Sequence, residues 1–508
     1  MKKSSIIFSS LLFIPFAILF LVGNFSNDTK VERQYSSKTI SKNLKAKSWN
    51  DAREHYHSLY QDETTGEIDA AQYVIAKQEV LNLMLQKSGA FTFVEEGPDN
   101  VGGRTRGLAI KPGDDNIIYA GGISGGLFNS IDAGNSWNRV QGYDDAVNDA
   151  INGNGSISIS SIAVSFEGHI YVATGGSIFN EQGLSSESSG ITAGDGIWYS
   201  ADEGLTFQQV AGTDGKDITK VVADLNQDNV IYYSGVSNGV KRVTDLGTPE
   251  SMPGLPVTTT GDVKVSVDGQ VLITGVSQGG QRSWVSQDGG ASWTDLHSNG
   301  QLVGSGAGRS EYAISPFKNA NGDYSVYCVL VTSSGSLKGV YRSIDNGTNW
   351  CQIGPSATTG FAPFGDNTQG IYDCVIAAHP SVEGCVLGGI DLWTWYQTPG
   401  AGCDNGEWQV ASNWSFNPQN PFYIHADNHR ITFNSQGRMY VGNDGGVQMS
   451  TIPNSISFFS VVNKGYNVTQ FYAMGYGGDG SVIGGAQDNG TQLNDHTGVG
   501  PLEFREVN

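Results

Sequence analysis

The sequence predicts an all-β fold in which one strand-and-turn unit recurs, preceded by a short N-terminal helical segment. Three observations carry that prediction. The pattern Ser-x-Asp-x-Gly-x-(Ser/Thr/Asn)-(Trp/Phe) occurs four times, at 130–137, 200–207, 286–293 and 343–350. Strand-like runs fill most of the chain after Phe91, and Gly supplies 69 of 508 residues, about double the usual share of roughly 7%. Each octapeptide suits a tight hairpin, because its Asp can accept hydrogen bonds from turn amides and its Gly can take a positive φ. The aromatic residue that ends each copy can bury a large apolar face beside the turn. One such match would mean little, whereas four at strand ends mark a repeated folding unit.

The octapeptides resemble the Asp-box, or BNR, repeat of β-propellers such as sialidases, sortilin-type (VPS10) receptors and xyloglucanase-like glycoside hydrolases. That resemblance implies a multi-bladed β-propeller of seven or more blades, with each box on the hairpin between the outer strands of a blade. It also implies that Asp132, Asp202, Asp288 and Asp345 are structural residues, remote from any ligand face.

Taken in order, the chain opens on Lys2 and Lys3 and an apolar run from Ile6 to about Gly23, so 1–30 read as a secretory signal or an uncleaved N-terminal anchor. The expected location is therefore secreted or cell surface, with a membrane reached only through that anchor. Residues 31–90 form a polar linker and two short helices. Trp49, Ala52, Tyr56 and Leu59 space the first, and Tyr73, Ala76, Val80 and Met84 stripe a second from Asp69 to Gly89.

From Phe91 onward, strand-like units fall at 117–140, 169–210, 229–245, 269–296, 323–353, 384–410 and 437–462. Several open on an apolar run ending in Gly, as in Ile117 to Gly122 and Met439 to Gly442, which reads as the inner strand of a blade. The Asp positions lie 70, 86 and 57 residues apart, leaving room for units without the octapeptide, such as 229–245. An eighth unit begins at Ser481 to Gly485, and the sequence predicts that it breaks off before completion, leaving 91–508 an incomplete propeller.

Net charge is −21, which repels a phosphate backbone and argues against nucleic acid as a partner. Five cysteines, Cys328, Cys351, Cys374, Cys385 and Cys403, lack the Cys-x-x-Cys spacing of a metal site, and their pairing is not readable. No cofactor or metal is predicted.

The densest polar constellation is His425, Asp427 and His429, which would share one face of a strand. Two imidazoles around a carboxylate can hold a polar ligand, a metal or a proton; equally, Asp427 can simply pin one blade to the next. Asp444 and Asp488 each follow a strand and sit in Gly- and Asn-rich turns that reach towards the central channel. Arg104 and Arg106 would share a strand face and pair with carboxylates across that channel.

Phrases at 97–106, 379–384, 425–429, 442–446 and 484–490 further resemble a group of secreted bacterial proteins described as glycosyl hydrolase-like or sortilin N-terminal-like, many of them from Bacteroidetes. Such proteins carry a C-terminal sorting domain; none follows here, in keeping with the expected incompleteness. The arginine trio and F/Y-R-I-P segment of sialidases are missing. Xyloglucanase-like enzymes place two aspartates in T-D-x-G-G and G-D-x-G-G phrases, and here the early phrase has Ile123 where Asp is expected while the later one keeps Asp444. Two functions follow. The first is an exported, non-catalytic propeller binding a protein or glycan, with ligand contacts from His425, Asp427, His429, Asp444, Asp488, Arg104 and Arg106. The alternative is a polysaccharide-acting glycoside hydrolase using Asp427 and Asp444 as acid and base.

Overall fold

Eight four-stranded antiparallel sheets follow one another along the chain in a computed structural model. It describes Glu79 and residues 95–148, 157–175, 194–276, 282–302, 307–355, 360–365, 369–399, 402–456, 458–496 and 502–507. The signal or anchor and the two helices of 31–90 lie outside the described residues, except Glu79, which is helical. Blades 1 to 7 span 105–139, 159–209, 218–251, 260–295, 307–354, 375–410 and 428–461, and the eighth sheet spans 471–507. One short helix, Gln141–Val147, links blades 1 and 2. Among the described residues no helix is long and apolar enough to cross a membrane.

Continuous apolar runs become strands here because both faces of a blade are covered. In Asp114–Gly122, Ile118 and Ala120 pack with Tyr440 and Val447 of blade 7. The alternate residue Tyr119 packs with Ile162, Val172 and Trp198 of blade 2. Period-two alternation thus serves two neighbours at once, which is why apolar residues follow each other without polar interruption.

These runs are the second strands of their blades, which corrects the sequence assignment of 117–122 and 439–442 as inner strands. The inner positions belong to the strand before each, beginning with Thr105–Lys111. Hydrogen bonds pass from one first strand to the next around the axis: Ser160 Oγ to Ile218 O, Thr219 Oγ1 to Thr260 O, and Tyr312 N to Asp262 Oδ2. They continue with Arg309 Nη2 to Cys374 O, and Arg430 Nε to Leu108 O returns the circuit from blade 7 to blade 1. The first strands of blades 1 and 2 pack through Ala109 and Ile162, and those of blades 6 and 7 through Val375 and Ile431, so seven blades close a ring. First strands are less apolar because the channel admits their charges, so a search for apolar runs finds the second strand instead.

The four octapeptides form one turn, four times. In the first, Ser136 N and Ser136 Oγ donate to Asp132 at 2.9 and 2.6 Å, and Ser130 Oγ donates to Asp132 Oδ1 at 2.8 Å. Each copy joins the third and fourth strands of its blade, and the Gly at its fifth position has φ near +90°. Blade 3 has four strands without the octapeptide.

The eighth unit, which the sequence predicts to break off before a full blade, holds four strands, Arg505–Val507 pairing with Thr491–Leu493 as the fourth. It takes no part in the ring. Its first strand, Phe471–Tyr476, is mostly exposed, and Asn100 clamps its last by exchanging hydrogen bonds with Phe504. Cys351 and Cys403 form a disulfide between blade 5 and the approach to the outer strand of blade 6, while Cys328, Cys374 and Cys385 are free and buried.

Candidate functional site

At one end of the ring, the turn between the second and third strands of blade 7 carries Asn443-Asp444-Gly445-Gly446. Gly445 lies against the His425 ring and Gly446 against Asn463, so any Cβ there would collide and only Gly lets the turn sink this far. The turn delivers Asp444 into a closed polar nest. Arg104 Nε donates to Asp444 Oδ1 at 3.2 Å, His429 Nε2 reaches the same oxygen at 2.7 Å, and the Tyr372 hydroxyl donates to Oδ2. Burial alone would push the Asp444 carboxyl up, but Arg104, followed by His429 and Tyr372, holds it well below the usual carboxylate range. His429 is pushed down to about 4 by burial and by Arg106, so it stands neutral and donates from Nε2.

Arg104 and Arg106 do share a face: their guanidinium carbons lie 4.8 and 5.4 Å from the centre of the Tyr372 ring. Arg104 also pairs across the turn with Asp488 at 3.7 Å. Asp488 comes from the eighth sheet, and its side chain is 43% exposed. Burial and the neighbouring Asp444 charge raise its carboxyl to about 6. Asn489 Nδ2 donates to the Asp444 carbonyl at 3.0 Å, so the eighth sheet rests on the same nest.

His425, Asp427 and His429 do not share a face, which corrects the strand reading of this segment. The strand begins only at Asn428, and Asp427 takes φ +67°, a left-handed conformation that breaks the alternation. His425 Nε2 lies 2.9 Å from Asp488 O, His429 turns to Asp444, and Asp427 turns to Asp373. Asp373 is buried, and burial with the adjoining Asp427 charge raises it well above the usual carboxylate range. With its amide oriented to donate, Gln369 nitrogen lies 3.1 Å from Asp427 Oδ1 and 3.3 Å from Asp373 Oδ2. Among the described residues no group of three or more His, Cys, Asp or Glu is placed to hold a metal ion.

Sequence reasoning therefore found Arg104, His429, Asp444 and Asp488 but missed Tyr372, Asp373 and Gln369. These three come from the approach to blade 6, and no local motif ties them to blade 7. Ile123 is buried at the tip of the blade 1 turn, its amide donating to Arg104 O, so no carboxylate stands there. Asp488 is exposed at this end, with His425, Asp427 and Asn489 half-buried around it. After the last strand of blade 6, Trp414, 52% exposed, hangs from Asp391 through its amide at 2.8 Å, and Phe416 is also exposed.

Solved structures similar to this chain include two enzymes. An ancestral GH74 enzyme aligns with TM-score 0.55 and 14% identity over 80% of this chain and 54% of its own. The GH74 enzyme of Niastella koreensis aligns with TM-score 0.54 and 15% identity over 80% of this chain and 60% of its own. What they share with this chain is the β-propeller fold. The chain spans little more than half the length of either enzyme. No protein-family model and no curated protein sequence matches it.

Proposed function

We propose that this chain is an exported β-propeller that binds a glycan at the cell surface without cleaving it. The state of Asp444 carries the reading: its carboxylate is buried, ionised and occupied by Arg104, His429 and Tyr372. A glycosidase acid or base must reach the glycosidic oxygen or a water beside the sugar, and this one has no free lone pair facing solvent. Asp444 instead fixes the nest that positions Asp488, Asn489 and His425 at the surface. The exposed Asp488 carboxylate and the partly exposed Asn489 amide and His425 imidazole, together with the exposed Trp414 indole, suit a sugar, whose hydroxyls need polar partners and whose C–H faces stack on aromatic rings. The apolar N-terminal run supports export.

One observation favours the alternative, a polysaccharide-acting glycoside hydrolase. Asp488, raised to about 6, stands beside an ionised Asp444, and carboxyls pushed apart in this way mark acid and base assignments. In that reading the accessible carboxyls Asp488 and Asp427 would have to act across a bound sugar. Glycan-array binding, run beside sugar release from plant and bacterial polysaccharides, separates the two. Binding without release, weakened at least tenfold by Trp414→Ala, is the expected result. Release by the parent protein that disappears in Asp488→Asn would overturn the binding reading.

A further inference from the structure

Charged side chains of the first strands meet on the propeller axis and do not balance. Lys220 comes from blade 3, Asp262 and Lys264 from blade 4, Arg309 and Glu311 from blade 5, and Arg430 from blade 7. Lys220 Nζ lies 3.9 Å from Glu311 Oε2, two blades away, so the approach crosses the channel that such a ring encloses. Arg430 in turn interacts with Asp262 and Glu311, and Lys220 with Arg430, so four blades converge on one place.

The two carboxylates are already engaged. Asp262 takes the Lys264 ammonium and the Tyr312 amide. Glu311 takes Arg309 through Nε and Nη2 at 3.1 and 2.8 Å. That leaves Lys220 and Arg430. Lys220 is 4% exposed and makes no hydrogen bond to any described residue, its nearest carboxylate standing beyond hydrogen-bond range. Burial pushes its ammonium down to about 8 despite Glu311, with Lys264 adding repulsion. Among the described residues Arg430 makes a single long hydrogen bond, 3.4 Å from Nε to Leu108 O, and burial lowers it too. A buried Lys220 and a half-buried Arg430, neither with a carboxylate within hydrogen-bond range among the described residues, leave the channel with uncompensated positive charge, which is costly away from bulk water.

We propose that the axial channel binds a small monovalent anion of the halide class between Lys220 and Arg430. A halide suits the place because both groups are donors only and a spherical ion accepts from several directions at once. It halves the excess positive charge without displacing Lys264 or Arg309 from their carboxylates. This site belongs to the ring's interior and is independent of whether the exposed face binds a sugar.

The test uses the full chain. Crystals soaked in sodium bromide are expected to show an anomalous peak on the axis, in contact with Lys220 Nζ and the Arg430 guanidinium. Thermal unfolding in chloride and in gluconate at equal ionic strength gives the solution readout. The midpoint should rise with the logarithm of chloride concentration and stay flat with gluconate. Lys220→Met and, separately, Arg430→Gln should abolish the chloride dependence. An axis free of bromide with equal midpoints in both salts would sink the proposal, as would chloride dependence that survives in Lys220→Met. The bromide experiment needs no variant and decides the matter if either substitution fails to fold. An axial peak for phosphate or sulfate in place of bromide would also overturn the halide assignment.

Discussion

At the scale of single residues, Asp444 and Asp488 are neighbouring carboxyls with opposite pH signatures. The Asp444 carboxyl is held below its ordinary value near 3.8, so its contribution is present above that pH and is lost as pH falls through its folded value. Removing it leaves Arg104 facing no buried carboxylate, and breaking such a pair costs about 3–5 kcal/mol. Asp444→Ala should therefore lower the urea midpoint strongly at pH 7. Asp488 behaves in reverse. Its carboxyl is raised to about 6, so the native state holds that proton more tightly than the unfolded chain. Between pH 4 and pH 6 the wild type should lose stability relative to Asp488→Asn, with the difference levelling off above pH 7. Equilibrium unfolding at pH 4, 5, 6 and 7 measures it, and a pH-independent difference would refute the raised Asp488 carboxyl. The sequence named both residues because each ends a strand in a Gly-rich turn. It could not show the left-handed Asp427, which sends His425 and His429 to different partners, nor the arrival of Tyr372 from another blade.

At the scale of elements, the octapeptide turns were the most legible part of the chain because every contact in them is local. Asp132 receives Ser130, Ser136 and the Ser136 amide within seven residues, and Asp202, Asp288 and Asp345 repeat the set. Strand position was less legible, since apolar content ranks strands by burial and not by distance from the axis. The turns lie at the outer hairpins, away from the Arg104 and Asp444 nest, and this sets a prediction. Asp288→Ala removes bonds from Ser286 Oγ, Ser292 N and Ser292 Oγ at a partly exposed site, costing about 1–2 kcal/mol. Hydrogen exchange should accelerate across 286–293 while glycan binding stays unchanged. Loss of binding in that variant would mean that the hairpins touch the ligand after all.

At the scale of the whole molecule, the ring has one seam. Every blade takes its four strands from one continuous stretch, so no blade is shared between early and late chain. Closure of blade 7 on blade 1 therefore rests mainly on side chains, Leu108, Ile118, Phe128 and Trp137 against Tyr440, Val447, Val462 and Tyr466, with the Trp137 amide donating to Lys464 O. Trp137 ties them further by donating from Nε1 to Val462 O at 2.6 Å. Within the chain, Trp408 of blade 6 makes the analogous bond to Ile353 O of blade 5, between blades already linked by the chain and by the Cys351–Cys403 disulfide. Both tryptophans are buried, so each truncation to Ala costs about 3–5 kcal/mol. Their consequences should differ in place. Trp137→Ala opens the seam, and exchange protection should fall first in 105–111 and 428–433, with blades 3 to 5 still protected. Trp408→Ala should weaken blades 5 and 6 while the seam holds. Loss of protection spread equally over all seven blades in both variants would show that the ring unfolds as one cooperative body and that its closure is no weaker than any other junction.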